Sequence, residues 1–356
     1  MLETTKKLLF RLTMRCNNHT GQKCRSGSAS RRSTTIGPLP DRFHMDTLSR
    51  LLSLCTIRTS LDIRCSLAAP WVLDEPPAAP GAAPFHLVVD GSATVDLPDG
   101  GPLLLHAGDI VVFAHGAAHR LHAGPRELAT PAREVASESP LRWKTNAGAN
   151  DGASGGGAPT GILCGRFEFD DGARRMLQRA LPQVVVVRSA GRPDFAGLHA
   201  LVTMLRNETD ASRPGAALVT AQLSSALFAL LLRAWLEEHG ASGSLLALLA
   251  DRRLGPALQR MLERPAAPWL VEELAQACLM SRATFARTFR QVAGATPAAV
   301  LAELRMAQAA LWLARDARPV GAIAEAVGYG SEAAFHRMFK RCHGVGPGAF
   351  RRAARA

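Results

Sequence analysis

The chain has 356 residues, 47% of them apolar, which is enough for two or three domains that each bury a core and excludes an intrinsically disordered protein. Its formal charge of +12 is uneven: nine Lys/Arg stand against two Asp/Glu in residues 1–44, sixteen against eight in 251–356, and the middle is slightly negative, so one folded part is suited to a polyanion. Seven cysteines fall in no CxxC and no Cys/His zinc spacing, which argues against a metal finger or a disulfide-rich secreted scaffold and for a reducing cytoplasm.

Residues 1–44 carry Lys6, Lys7, Arg11, Arg15, Lys23, Arg25, Arg31 and Arg32 in a Ser-rich background. Their apolar run, Leu8-Leu9-Phe10, is too short for a signal peptide. The segment reads as a disordered basic extension, or as translation from an upstream start with Met45 as the natural one. Leu48, Leu51 and Leu52 then begin an amphipathic stretch at once.

From Phe85 the apolar residues alternate, and 85–89, 93–97, 103–106 and 110–113 read as short strands separated by turn residues. Even spacing of short strands predicts a small barrel or jelly roll. Residues 148–159, rich in Gly, Ala and Ser, read as a flexible surface loop. The strand pattern resumes at 161–169, with Cys164 on it.

Leu198, Leu201, Val202 and Leu205 mark one amphipathic helix, and Leu223, Leu227, Leu230, Leu231 and Trp235 a second. Residues 216–232 are uncharged but include Thr220, Gln222, Ser224 and Ser225 and are slightly short for a bilayer, so a buried or interfacial helix is expected and no membrane partner. A helix over 251–264, with Leu254, Leu258 and Leu262 on one face, leads into the basic end.

That end contains one pattern twice. Leu274-Ala275 is followed by Ser281, Phe285, Arg287, Phe289 and Arg290; Ile323-Ala324 is followed by Gly328-Tyr329-Gly330, Ser331, Phe335, Arg337, Phe339 and Lys340. Gly294 and Pro297 close the first copy as Gly344 and Pro347 close the second. Each copy reads as helix, tight turn and helix, with Ser281 and Ser331 as N-caps and the phenylalanines, four residues apart, on a buried face. Thr296-Pro297 starts a connecting helix whose stripe of Val300, Leu304, Ala307, Leu311 and Ala314 would hold the units apart.

Two resemblances follow. The run Ala326-Val327-Gly328-Tyr329-Gly330-Ser331-Glu332-Ala333-Ala334-Phe335-His336-Arg337-Met338-Phe339-Lys340, with Gly344 to Arg352 after it, resembles the signature of AraC/XylS-family transcriptional regulators. The first turn departs from it, with Leu279 where that family usually has glycine. The run from Gly108 to His119 resembles the second cupin motif, with Ala114 where proline is usual; Ala69-Pro70-Trp71 and Leu163-Cys164-Gly165-Arg166-Phe167 fit the same domain.

The resemblance implies an α+β multidomain chain: a cupin-like β-barrel or jelly roll over 45–190, a helical dimerisation segment over 191–250 and an all-α double helix-turn-helix domain over 251–356. The implied partners are double-stranded DNA, a second copy of the chain, RNA polymerase if transcription is activated, and a small-molecule effector or an oxidant. Metal-dependent cupins use two histidines and a glutamate in their first motif. Here the glutamate position falls near Pro84 and 76–84 holds no histidine, so no metal, no cofactor and no enzyme activity are expected.

The helices beginning at Arg282 and Glu332 are then the recognition helices. Arg282, Ala283, Ala286, Arg287, Glu332, Ala333, His336 and Arg337 are the base-reading candidates, because Arg suits guanine, Glu accepts from cytosine and Ala leaves room for thymine methyls. Ser281, Arg290, Ser331, Lys340, Arg341 and Arg351 are candidates for phosphate. His86, His106 and His119, with His115 and His122 near in sequence, are candidates for an effector pocket. Cys65 and Cys164 are the candidate redox pair, and inert core thiols are the alternative.

Overall fold

The computed structural model describes residues 45–97, 100–136, 141–146, 159–189, 192–210, 213–238 and 243–355. The basic extension 1–44 and nearly all of the 148–159 stretch lie outside the described residues.

The amino-terminal half begins with α1 (Thr47–Ser53), capped by the Asp46 carboxylate. There follow β1 (Ile57–Leu67), β2 (Trp71–Glu75), β3 (Ala82–Asp90), β4 (Ser92–Asp96), β5 (Pro102–His106), β6 (Ile110–Phe113), β7 (His119–Ala123), β8 (Thr130–Pro131), β9 (Arg133–Val135), β10 (Arg142–Thr145), β11 (Thr160–Phe169), α2 (Asp171–Met176) and β12 (Val184–Val187). They form two sheets, one ordered β12-β6-β3-β11-β1-β10-β9 and the other β5-β4-β7-β2-β8. Alternation along the strands sends one set of side chains between the sheets. Cys65, Leu67, Trp71, Val88, Leu105, Phe113, Leu121, Ile162 and Cys164 fill that interior.

The opposite face of the larger sheet is apolar as well, through Phe85, Leu87, Leu163 and Phe167. It is covered by α3 (Ala196–Asp210) and α4 (Ala216–Glu238). Phe228 of α4 packs edge-on against Phe167 and Phe169, with ring centroids 5.0 and 5.5 Å apart. By length and composition α4 would suffice to cross a bilayer, but Leu227, Phe228, Leu231, Leu232 and Trp235 are buried in the same core as the sheet.

The helix expected over 251–264 is α6 (Gly255–Glu263), preceded by a short helix that the sequence reading did not include, α5 (Leu245–Ala250). The break comes at Asp251, whose carboxylate accepts from the backbone N–H groups of Arg253 and Leu254, and Pro256 restarts the helix in its first turn. Beyond it lie α7 (Val271–Ala277), α8 (Arg282–Ala293), α9 (Pro297–Arg315), α10 (Val320–Ala326), α11 (Glu332–His343) and α12 (Pro347–Arg355). The first unit, with Phe285 and Phe289, joins the core under the sheet, whereas Phe335 and Phe339 form a second core with Met306, Leu313 and Ile323.

Candidate nucleic-acid interface and barrel interior

The sequence repeat is a structural repeat at the level of caps and turns. The Ser281 hydroxyl accepts from Thr284 N–H and that of Ser331 from Ala334 N–H, so both α8 and α11 start on a satisfied N-terminus. Both corners are Schellman turns. In the first, Leu279 N–H donates to Gln276 O and Met280 N–H to Ala275 O; in the second, Gly328 N–H donates to Glu325 O and Tyr329 N–H to Ala324 O. The residue in the left-handed conformation is Gly328 (φ 85°) in one and Leu279 (φ 55°) in the other.

This accounts for the departure from the family pattern. A Cβ at Gly328 would lie 2.5 Å from the Ala266 carbonyl oxygen, so only glycine fits. Leu279 is 96% exposed, so there the side chain meets only the intrinsic cost of its backbone conformation.

Burial of Phe285 and Phe289 on α8, and of Phe335 and Phe339 on α11, turns the opposite faces outward. Arg282, Ala283 and Arg287 are exposed on α8 and Ala286 is half-buried; Glu332, Ala333, His336 and Arg337 are all exposed on α11. Ser281, Arg290, Ser331, Lys340 and Arg341 are exposed beside them. Arg351 is placed differently. It is half-buried on α12 and donates to the Arg318 carbonyl, so it stands apart from the row of exposed cations. Several candidates have partners within the fold: Arg282 with Glu272 (3.0 Å), His336 with Glu332 (3.5 Å), and Arg341 with the Met338 sulfur (2.9 Å).

The spacing of the units depends on a residue that the sequence did not single out. Arg305, on α9, donates to the carbonyls of Pro265 (2.7 Å) and Ala267 (2.9 Å), and more weakly to those of Ala266 and Gly328 (3.4 Å each). One guanidinium thereby ties the loop before the first unit to the corner of the second. Its sequence signal, one of two arginines in a largely apolar helix, is not distinctive.

Inside the barrel, the structure brings together residues that the sequence put in two separate groups. Cys164 lies opposite His86 across β11 and β3, and His86 Nδ1 is 3.1 Å from Cys164 Sγ. His86 Nε2 is 2.7 Å from His119 Nε2, and His119 Nδ1 is 2.8 Å from the Ala117 carbonyl. His119 stacks on Phe113, which fixes its ring (centroids 3.5 Å, planes 9° apart). Cys65 is diagonal to Cys164 on the neighbouring strand β1.

Burial, reinforced by His119, lowers the pKa of His86 to about 3, and burial also lowers that of His119. Both rings are neutral at pH 7. The neighbouring Cys65 thiol first, then burial, holds the Cys164 thiol well above its ordinary pKa. The remaining histidines lie elsewhere: His106 is exposed beside Asp109, His115 meets the Leu181 carbonyl, and His122 faces Asp96. Of the three pocket candidates, then, only His86 and His119 share a site. Among the described residues no group of three or more His, Cys, Asp or Glu is arranged to hold a metal.

Two capped helix-turn-helix units with outward cations, attached to a closed β-sandwich, define a DNA-binding regulator with a cupin-type domain. Comparison with known proteins agrees. Residues 46–237 match the family model described as Cupin, and residues 274–353 match that of the helix-turn-helix domain. The chain is 33% identical to the RCS-specific HTH-type transcriptional activator RclR of Escherichia coli (strain K12), over 87% of this chain and 99% of the relative. It is 31% identical to a putative AraC-like transcription regulator of Streptomyces antibioticus, over 86% and 99%. Among solved structures, the DNA-binding domain of AdpA, a global transcriptional factor in complex with a target DNA, is 33% identical over 30% of this chain and 95% of that one, with a TM-score of 0.28. The chain belongs to the AraC-type transcription regulators with a cupin-type amino-terminal domain, and it binds DNA in that role.

Proposed function

We propose that the protein is a cytoplasmic, dimeric regulator, not an enzyme, whose monomer lays α8 and α11 in successive major grooves and whose input is oxidation of the Cys65–Cys164 pair. The base-reading roles go to Arg282, Ala283, Ala286, Arg287, Glu332, Ala333, His336 and Arg337. Arg290, Lys340 and Arg341 hold phosphates. α9, at 19 residues, is about 28 Å long, a span suited to grooves about 34 Å apart. Dimerisation is assigned to α3 and α4, where Met204, Leu218 and Val219 leave an exposed apolar face. RNA polymerase is a partner if the chain activates, as the name of the E. coli relative describes that protein.

The observation that carries the input is the placing of two buried thiols at diagonal positions on adjacent strands. Relaxed diagonal positions across strands lie about 7–8 Å apart, and a disulfide holds its Cα atoms within about 7 Å. Bond formation therefore draws β1 toward β11, and α4 packs on the other face of both strands. The test is mild oxidation of the full chain, non-reducing mass mapping and an operator-binding assay. A Cys65–Cys164 disulfide that changes DNA binding supports the reading; an equal response in the Cys65→Ser, Cys164→Ser double variant returns the input to a ligand of the barrel.

A further inference from the structure

Three hydrogen bonds inside the barrel admit one arrangement of protons. The Ala117 carbonyl can only accept, so His119 Nδ1 carries hydrogen and donates to it. In a neutral ring this leaves His119 Nε2 as a lone pair, so His86 Nε2 donates to it. His86 Nδ1 is in turn a lone pair, so the Cys164 thiol donates to it. Every link thus points from thiol to imidazole to imidazole to carbonyl.

The thiols also differ in access. A surface cleft of about 380 Å³ reaches His86 and Cys164, with Glu75, Arg142 and Arg166 among its walls, and Cys65 does not line it. Cys164 is 6% exposed and Cys65 1%. Arg166 in the cleft wall is paired with Asp62 (3.3 Å) and Glu168 (2.9 Å), so it presents no free cation to an incoming molecule.

We propose that Cys164 is the attacking thiol, that His86 is its general base with His119 as the proton's second station, that Cys65 is the resolving thiol, and that the cleft admits small neutral two-electron oxidants HO–Y. This rests on the redox input proposed above. As the oxidant approaches, the Cys164 proton moves to His86 Nδ1 while the His86 Nε2 proton passes to His119 Nε2. The thiolate attacks oxygen, the S–O bond forms, the O–Y bond breaks, and Y⁻ leaves with the relayed proton. Cys65 sulfur then attacks Cys164 sulfur; the S–S bond forms, the S–O bond breaks, and hydroxide leaves as water with the Cys65 proton. Cys164 goes from thiol to sulfenic acid to disulfide, and the oxidant takes up both electrons. A local base explains how a thiol with a raised pKa reacts, because the thiolate exists only during the attack.

The test uses the full chain, hydrogen peroxide and hypochlorous acid in parallel, and dimedone to trap sulfenic acid. Cys65→Ser should label at Cys164, and Cys164→Ser should not label at Cys65. His86→Gln, which keeps a hydrogen-bonding amide without the basicity, should slow oxidation about 100-fold. Its rate should rise about tenfold per pH unit between pH 6 and 8, where the wild-type rate is flat, a change that misplacement of Cys164 alone would not produce. Glu75 and Lys144 also act on Cys164, so Lys144→Gln, outside the cleft wall, serves as the control that keeps the flat profile. Preferential labelling of Cys65, or a His86→Gln variant with the wild-type rate and profile, overturns the assignment. If the wild type forms disulfide while His86→Gln is unaffected, the relay alone is wrong; if the wild type forms none with either oxidant, the redox input fails with it.

Discussion

Two corners of one motif show how a residue's surroundings decide its identity. Gly328 is enclosed by the Ala266 carbonyl and Leu279 is open to solvent, though both take the left-handed conformation. Leu279→Gly should therefore raise stability by about 1 kcal/mol in denaturant unfolding, and Gly328→Ala should lower it by about 2 kcal/mol or more; a loss on Leu279→Gly would refute the turn geometry. On the exposed faces, Arg287→Ala or Arg337→Ala should cost about 1–3 kcal/mol at a specific site and relax preference at one base pair. Lys340→Ala should weaken all sequences alike and lower the salt slope by about one unit. These positions were legible in the sequence because buried phenylalanines four residues apart define the opposite face. The pairing of His86, His119 and Cys164 was not, since residues 33 to 78 positions apart meet only through strand register.

Among the elements, α1, α3, α4, α6 to α11 and β3–β6 follow patterns that the sequence displays, and α2, α5, α12 and several strands do not. β1 was missed because a register shift between Leu61 and Ile63 interrupts its alternation, and β12 because four consecutive valines have no alternation at all. α9 was recognised by its apolar stripe, yet its chief structural device is Arg305. Arg305→Ala removes a charged donor from carbonyls on both units and should cost about 2–3 kcal/mol. Affinity for a two-block operator should fall further than affinity for either block alone, as measured by titration calorimetry. Equal losses on all three DNAs would mean that Arg305 stabilises the fold without setting the spacing.

Across the whole molecule, acid should act through buried histidines. Burial first, then the Arg175 cation, lowers the pKa of His343 to about 4, as burial lowers that of His86 to about 3. Both stay neutral in the folded chain and charge in the unfolded one. Their contribution is full above about pH 6.5 and is lost as pH falls toward those values, by several kcal/mol on the order of magnitude. Thermal unfolding between pH 7 and 4 should show the decline, and a flat profile would contradict the burial of both rings.

The central claim, two recognition helices on one rigid monomer, is tested most directly by sequencing the DNA that the purified full chain selects from a random pool. The prediction is a motif of two short blocks centred about one helical turn, 10–10.5 base pairs, apart. Arg287→Ala should erode one block and Arg337→Ala the other. A single enriched block, no enriched sequence, or erosion of the same block by both substitutions would contradict the account.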